Sequence, residues 1–427
     1  PPSRAPLSLL VSNPASFDKT KVMWEFTDRD DADLGNVMGT PKVVKLQTNA
    51  KFTAGVANTP EYEWFAVVPS GVNNFVADVN VSTSKKPHLF LLKLSKTAGT
   101  AWALGANYFK FEIPTVDALS ATVSPGAINF QATTGLSGEL DQLYMGDLHG
   151  NLWKMDFDTA SGGPAGKPLD TVTFSDLTDG NSNKPLFVAK DSAGNVQPIA
   201  ITPKLVNGPD NGIVVMFGTG KYLEASDNNL TPVRTQSVYA INDIEVGSSR
   251  PKFVAGRDYL QRGTSAGGII TIDSFIWGRV STANLATTTE RSGWYFDYAT
   301  TGERSVSDFT TSGLNVYFGT VVPPQNLTDP CSGGAGNIYA VNFTTGSGTN
   351  FVSQVGLIGQ IFIQKTITPI ISNSNSTNTR VETITERIVI KGTEGFQTPP
   401  DDIKTVSEIG RLSWRQINNY HELKNRP

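Results

Sequence analysis

One cysteine, Cys331, stands alone in 427 residues, so an intrachain disulfide is excluded, and with it a metal centre built on cysteines. Three histidines, His88, His149 and His421, are too few and too scattered for a histidine-rich zinc site. His149 falls in a hairpin turn and reads as a surface residue. Charged residues make up 17% of the chain and the formal net charge is -4, which leaves no basic footprint for nucleic acid. No apolar run reaches the roughly 18 residues of a membrane-spanning helix, and no amphipathic helical pattern lasts beyond a few turns. The opening Pro1-Pro-Ser-Arg-Ala-Pro6 carries neither an initiator Met nor a charged stretch leading into an apolar core, so the sequence reads as the C-terminal fragment of a larger protein.

What remains is a turn-rich chain with 40 Gly and 25 Pro. Its apolar runs, such as Gly212-Ile-Val-Val-Met-Phe217 and Asn315-Val-Tyr-Phe318, are short and β-rich, which makes the class all-β. Leu143-Tyr-Met-Gly-Asp-Leu-His-Gly-Asn-Leu-Trp-Lys-Met-Asp-Phe157 predicts a hairpin, with strands at 143–145 and 152–157 and Gly150 free to take a positive φ in the turn. The second strand recurs as His88-Leu-Phe90, Asn151-Leu-Trp153, Ser237-Val-Tyr239 and Asn337-Ile-Tyr339, each with an aromatic at its third position. In three of the four an Asp or Asn (Asp156, Asn242, Asn342) follows three residues later, placed to close the next turn.

A strand formula that returns in this way predicts a β-propeller, and the chain has room for about seven blades with long inter-strand insertions. Residues 1–427 read as one such domain. Within it, 356–392 read as a long hairpin insertion whose polar centre, Ser372 to Asn378, forms a mobile tip.

Gly263-Thr-Ser265-Ala-Gly267 fits the nucleophile-elbow pattern, but a β-rich run follows it where a helix is required, so Ser265 reads as a loop serine. Gly218-Thr-Gly220-Lys221 follows a strand yet lacks the third glycine and the Ser or Thr of a phosphate loop. Calcium needs several oxygens in a loop that turns back on itself. Asp78-Val-Asn80-Val-Ser82-Thr-Ser84 is followed by Lys85 and Lys86 where a closing carboxylate is wanted, and Thr133-Thr-Gly-Leu-Ser137-Gly-Glu139-Leu-Asp141 has no acid at its start. Asp28-Arg-Asp-Asp-Ala-Asp-Leu-Gly35 reads as a solvated turn.

Several of these segments are similar to the C-terminal domain of the PilY/PilC family. They are Trp24-Glu-Phe26 with Asp33-Leu-Gly35, the hairpin Tyr144 to Asp156, Phe217-Gly-Thr-Gly-Lys-Tyr222, Gln236-Ser-Val-Tyr239, Gly293-Trp-Tyr-Phe-Asp-Tyr298 with Gly302-Glu-Arg304, and Gly410-Arg-Leu-Ser-Trp-Arg415. They span almost the whole chain in one order.

The resemblance implies a modified β-propeller at a type IV pilus tip or the outer bacterial surface. Its expected roles are pilus biogenesis, twitching motility and host-cell adhesion, its expected partners pilus subunits or minor pilins and a host-cell receptor, and it implies no enzyme. It also implies a calcium-binding loop before the hairpin, at Thr133, Gly135, Ser137, Glu139 and Asp141, whose occupancy biases pilus extension against retraction. Only Asp141 and Glu139 keep carboxylates there, so a metal-free loop is expected. The rival readings are a quinoprotein-like propeller dehydrogenase, against which the seven tryptophans in separate segments argue, and a carbohydrate- or protein-binding propeller unrelated to pili. Specificity is expected in the loops Pro69 to Lys86, Asp158 to Lys190 and Ser372 to Thr379.

Overall fold

The period-2 alternation of the recurring strand is satisfied on both faces: Leu143, Met145, Trp153 and Met155 of the hairpin enter one hydrophobic cluster, while Tyr144 and Leu152 enter the next. A computed structural model of the chain describes residues 8–9, 22–50, 52–72, 82–116, 124–135, 138–157, 167–178, 184–244, 252–281, 284–324, 335–371, 380–398 and 403–409.

Among the described residues four antiparallel meanders follow one another. The first pairs Lys42–Gln47, Tyr62–Pro69, His88–Lys93 and Tyr108–Glu112. The second pairs Phe130–Thr134, Leu140–Gly146, Asn151–Asp156 and Phe187–Val188. Lys204–Asn207, Ile213–Gly218, Ser237–Asp243 and Gly293–Asp297 make the third. The fourth contains Thr310–Ser312, Asn315–Val321, Asn337–Asn342 and Gly348–Val352. Gln261–Ala266 and Ile269–Ile272 form a hairpin that bridges the third meander to the fourth. A long ribbon, Ile358–Ile371 against Arg380–Gly392, is the last sheet among the described residues, with Ile403–Ile409 along its outer half. Residues 372–378, predicted as a mobile tip, and the 410–415 motif lie outside the described residues, as do residues 73–81, 158–166, 179–183 and 372–379 of the predicted specificity loops.

Successive sheets are joined face to face by separate apolar clusters. Phe65, Leu91 and Phe111 of the first sheet meet Met145 and Trp153 of the second, and Tyr144 and Leu152 meet Phe217 and Tyr239 of the third. Met216 and Ala240 meet Phe318 and Tyr339 of the fourth, whose Tyr317 and Ile338 meet Ile361, Ile388 and Ile390 of the ribbon. Four-stranded meanders packed face to face suit the predicted β-propeller, although four of them and the ribbon are seen among the described residues against the roughly seven blades expected. Gly146, Gly218 and Gly319 occupy equivalent positions, and a Cβ there would overlap Ile199, Ser305 and Ile358 respectively, so the close approach of each strand to the segment beyond it requires glycine.

Candidate functional site

The same polar construction is repeated at the start of each recurring strand. Ser70, Asp147, Thr219 and Thr320 are fully buried, and each accepts a hydrogen bond from the backbone N–H of the first strand residue, His88 (3.0 Å), Asn151 (2.9 Å), Ser237 (2.8 Å) and Asn337 (3.1 Å). For Ser70, Asp147 and Thr219 the bond is returned, backbone to backbone, at 2.8 to 3.0 Å. In the third and fourth sheets further polar groups then bind the strand's polar head and its aromatic. In the fourth sheet Glu303 Oε1 accepts from Thr320 Oγ1 (2.6 Å), Asn337 Nδ2 (2.8 Å) and the Tyr339 hydroxyl (2.8 Å). In the third, Asp297 accepts from the Ser237 hydroxyl (2.6 Å), and Arg257 ties Asp297, Ser237 and the Tyr239 hydroxyl together.

The predicted hairpin is present, with strands Leu140–Gly146 and Asn151–Asp156 and Gly150 at φ +79°. Asp147 organises its turn: Oδ1 accepts the N–H groups of His149 and Asn151 (both 2.9 Å), and Oδ2 accepts Asn151 Nδ2 (2.8 Å) and Trp153 Nε1 (3.0 Å). Burial pushes its carboxyl up to about 6 despite those four donors. His149, expected on the surface, is 3% exposed, because the turn folds back beneath Ala189 and Gln197.

The loop before the hairpin closes through its own backbone. Gly135 N–H donates to the Glu139 carbonyl (2.9 Å), and Gly138 N–H to the Gly135 carbonyl (3.0 Å). Of the residues compared with a calcium shell, Thr133 Oγ1 already accepts the Gln142 N–H (3.0 Å), and the Asp141 carbonyl accepts from Phe157 (2.6 Å). Glu139 lies over Gly135 with Oε2 buried and unpartnered; Ser137 lies outside the described residues. One orphaned carboxylate oxygen is what a cation would seek, but two acids and an engaged hydroxyl fall short of the six to eight oxygens of calcium. Among the described residues no group of three or more His, Cys, Asp or Glu converges to hold a metal.

Lysine ammonium groups instead serve two carboxylate clusters. Lys154, on the hairpin, reaches Asp243 Oδ2 at 2.8 Å between the second and third sheets, where the Tyr144 hydroxyl also donates to it (2.6 Å) and Arg279 Nη2 stands 3.4 Å from Oδ1. Burial alone would raise the Asp243 carboxyl, but Lys154 and Arg279 outweigh it and hold it below the usual range. Arg279 is itself buried, with Nε and Nη1 unpartnered. In the first sheet Lys110 bridges Asp31 (2.9 Å) and Asp33 (2.6 Å), the Tyr108 hydroxyl donates to Asp31 (2.9 Å), and His88 Nε2 stands 3.5 Å from Asp33. The segment expected to be a solvated turn is only partly so: Arg29 and Asp30 are exposed, whereas Asp28 and Asp31 are buried at 3% and 9% exposure, and Lys110 and Tyr108 reach Asp31 from the neighbouring strand.

Other motifs resolve into structural roles. Ser265 is a strand residue paired with Ile270, so the loop expectation is corrected; the turn falls on Gly267 and Gly268, both at positive φ. Lys221, of the phosphate-loop fragment, pairs with Glu224 and Asp227. Asn342 closes the next turn by accepting the Thr344 N–H (2.9 Å), whereas Asn242 is buried with both side-chain polar atoms unbonded. Trp24 and Trp102, distant in sequence, meet edge to face at 5.1 Å in the packing of the first sheet.

Among the described residues no helix is long and apolar enough to cross a membrane. The chain is 29% identical over 371 residues to the type IV pilus biogenesis factor PilY1 of Pseudomonas aeruginosa, covering 81% of this chain and 28% of that protein. It is 28% identical over 360 residues to a PilY1 homolog of Xylella fastidiosa, covering 80% of this chain and 21% of the homolog. The chain thus spans about a quarter of the length of these relatives. The crystal structure of the Pseudomonas aeruginosa PilY1 C-terminal domain superimposes with a TM-score of 0.56 at 21% identity, covering 89% of this chain and 76% of that one, and shares the fold. Residues 13–262, more than half of the chain, match the family model described as the PilY1 beta-propeller domain, and the chain belongs to that family.

Proposed function

We propose that this domain is the rigid body of a type IV pilus biogenesis factor, acting outside the cell at the pilus tip or outer surface. Its partners are pilus subunits or minor pilins and, through exposed loops, a host-cell receptor, so that it supports pilus assembly, twitching motility and adhesion without catalysing a reaction. The observation that carries this reading is the similarity along about 80% of the chain to proteins named type IV pilus biogenesis factors. The buried carboxylates fit it, since Asp147, Asp243 and Glu303 are each engaged in joining strands or sheets.

The test is complementation. In the source bacterium lacking the full-length gene, the wild-type protein should restore surface pili and twitching and co-purify with pilus subunits, and the Asp147→Ala form should not. Restored motility without the wild-type protein, or no association with pilus subunits, would refute the role.

We further propose that the loop carrying Thr133, Ser137, Glu139 and Asp141 works without resident calcium, its shape held by the backbone bonds between Gly135, Gly138 and Glu139. Calorimetric titration of the chain with calcium to millimolar concentration is expected to give only dilution heat, unchanged by Asp141→Ala. A saturable heat that disappears in Asp141→Ala would reinstate calcium modulation of pilus extension.

A further inference from the structure

The strand Ile358–Ile371 pairs on one side with Arg380–Gly392 and, among the described residues, has no strand on the other. We propose that its free margin from Ile363 to Ile367 takes up an extended segment of another protein as an added antiparallel strand, apolar at alternate positions. The inference rests on the direction of backbone groups and is independent of the pilus reading.

Along an antiparallel strand the N–H and C=O groups of successive residues point to opposite margins. Two observations agree on which residues point outward here. The Ile361 carbonyl accepts the Thr310 hydroxyl of the fourth sheet (3.3 Å), so it faces away from Arg380–Gly392. Pro369, an even number of positions further on, has no N–H to give yet stands in the ladder opposite Glu382, which a strand tolerates where the missing group would face out. The register runs without a shift from Gln360 to Ile371, so Ile363, Lys365 and Ile367 share that direction. Their outward backbone groups have no partner among the described residues.

Donors and acceptors repeating about every 7 Å, two strand residues, are matched by the backbone of another extended chain. The usual guard against such pairing is cancelled, because the Lys365 ammonium is held by Glu386 at 2.7 Å, while Phe362 and Ile367 are exposed. Residues directly opposite in an antiparallel pair present their side chains on one face. The incoming residues that bond to this margin therefore stand beside Ile363 and Ile367, where apolar side chains fit. A second copy of the chain fits poorly. Centred on Lys365, a two-fold pairing sets two lysines directly opposite; centred anywhere from Thr366 to Pro369, it sets Pro369 against an outward-facing residue and forfeits hydrogen bonds. A foreign strand can stop short of Pro369.

The test titrates the full 427-residue chain into fluorescein-labelled Ser-Glu-Thr-Val-Thr-Val-Thr-Val-Thr-amide, followed by anisotropy, and into two forms N-methylated at every valine or at every threonine. The parent and the threonine-methylated peptide should bind alike, and the valine-methylated peptide at least about tenfold more weakly, since it has lost the donors that face the margin. Ile367→Pro removes one outward N–H and should weaken the parent peptide about tenfold, with an unchanged unfolding midpoint showing that the ladder to Arg380–Gly392 survives. Val56→Ser, in the separate hairpin of Phe52–Thr53 and Val56–Ala57, should change nothing. No binding of the parent at millimolar concentration, weakening by threonine methylation, or indifference to either valine methylation or Ile367→Pro would each overturn the proposal. So would a dimer of the chain, seen by sedimentation, that Ile367→Pro dissolves, because the margin would then belong to a second copy.

Discussion

Asp147→Ala is expected to lower the unfolding free energy by about 4 kcal/mol, read from urea denaturation followed by tryptophan fluorescence. The carboxylate is fully buried and receives four donors, so its removal strands two backbone N–H groups, the Asn151 amide and the Trp153 indole N–H where no water reaches. Each unsatisfied donor costs roughly 1–3 kcal/mol, and partial relaxation keeps the total below the sum. Asp147→Asn should fall between, since it keeps one acceptor but turns an NH₂ against donors. A loss below about 1 kcal/mol would mean the donors find other acceptors. The pH dependence has a definite sign. Its folded value of about 6 lies above the ordinary 3.8, so the folded chain holds the extra proton. This residue's contribution is therefore full below 3.8 and declines as pH rises through about 6.

Asp243→Ala should cost about 3–5 kcal/mol, because it leaves Lys154 and Arg279 as uncompensated cations between two sheets. The Tyr144 hydroxyl loses its acceptor at the same time. Adding Lys154→Met should recover part of the loss, and only part, since Arg279 stays buried and unpaired. A double variant no more stable than the single one would show that the three charges are not coupled. Here the acid response is opposite to that of Asp147. The folded carboxyl is held below 3.8, so its stabilisation is present above that value and disappears as pH falls through the lower folded one. Acid titration of the two variants separates the contributions.

The recurring strand was legible because a strand buried on both faces has to repeat its pattern: Phe90, Trp153, Tyr239 and Tyr339 are all fully buried, as their shared position requires. The polar residue two places earlier was equally visible in His88, Asn151, Ser237 and Asn337, but its partner was not, because contacts such as Asn337 with Glu303 join residues 34 apart through tertiary folding alone. The acids that carry the network nevertheless sit inside the very motifs that signal the family: Asp33 in Asp33-Leu-Gly35, Asp147 in Tyr144-Met-Gly-Asp147, Asp297 in Gly293-Trp-Tyr-Phe-Asp297 and Glu303 in Gly302-Glu-Arg304. Those motifs mark the seams between strands. His149 and Asp31 differ from a solvent-facing turn for one reason: segments distant in sequence come to lie against them, Gln197 beside the neighbouring Gly150 and Lys110 on Asp31.

The closing ribbon has a mechanical consequence. Its root isoleucines share their packing with Tyr317 and Ile338 of the fourth sheet, and its two strands stay in register from Gln360 to Ile371. Tension directed along those strands is spread over many cross-strand bonds in shear, whereas a pull across them would open one bond at a time. The direction in which a tether leaves this corner therefore decides whether it behaves as a strong anchor or as a zip.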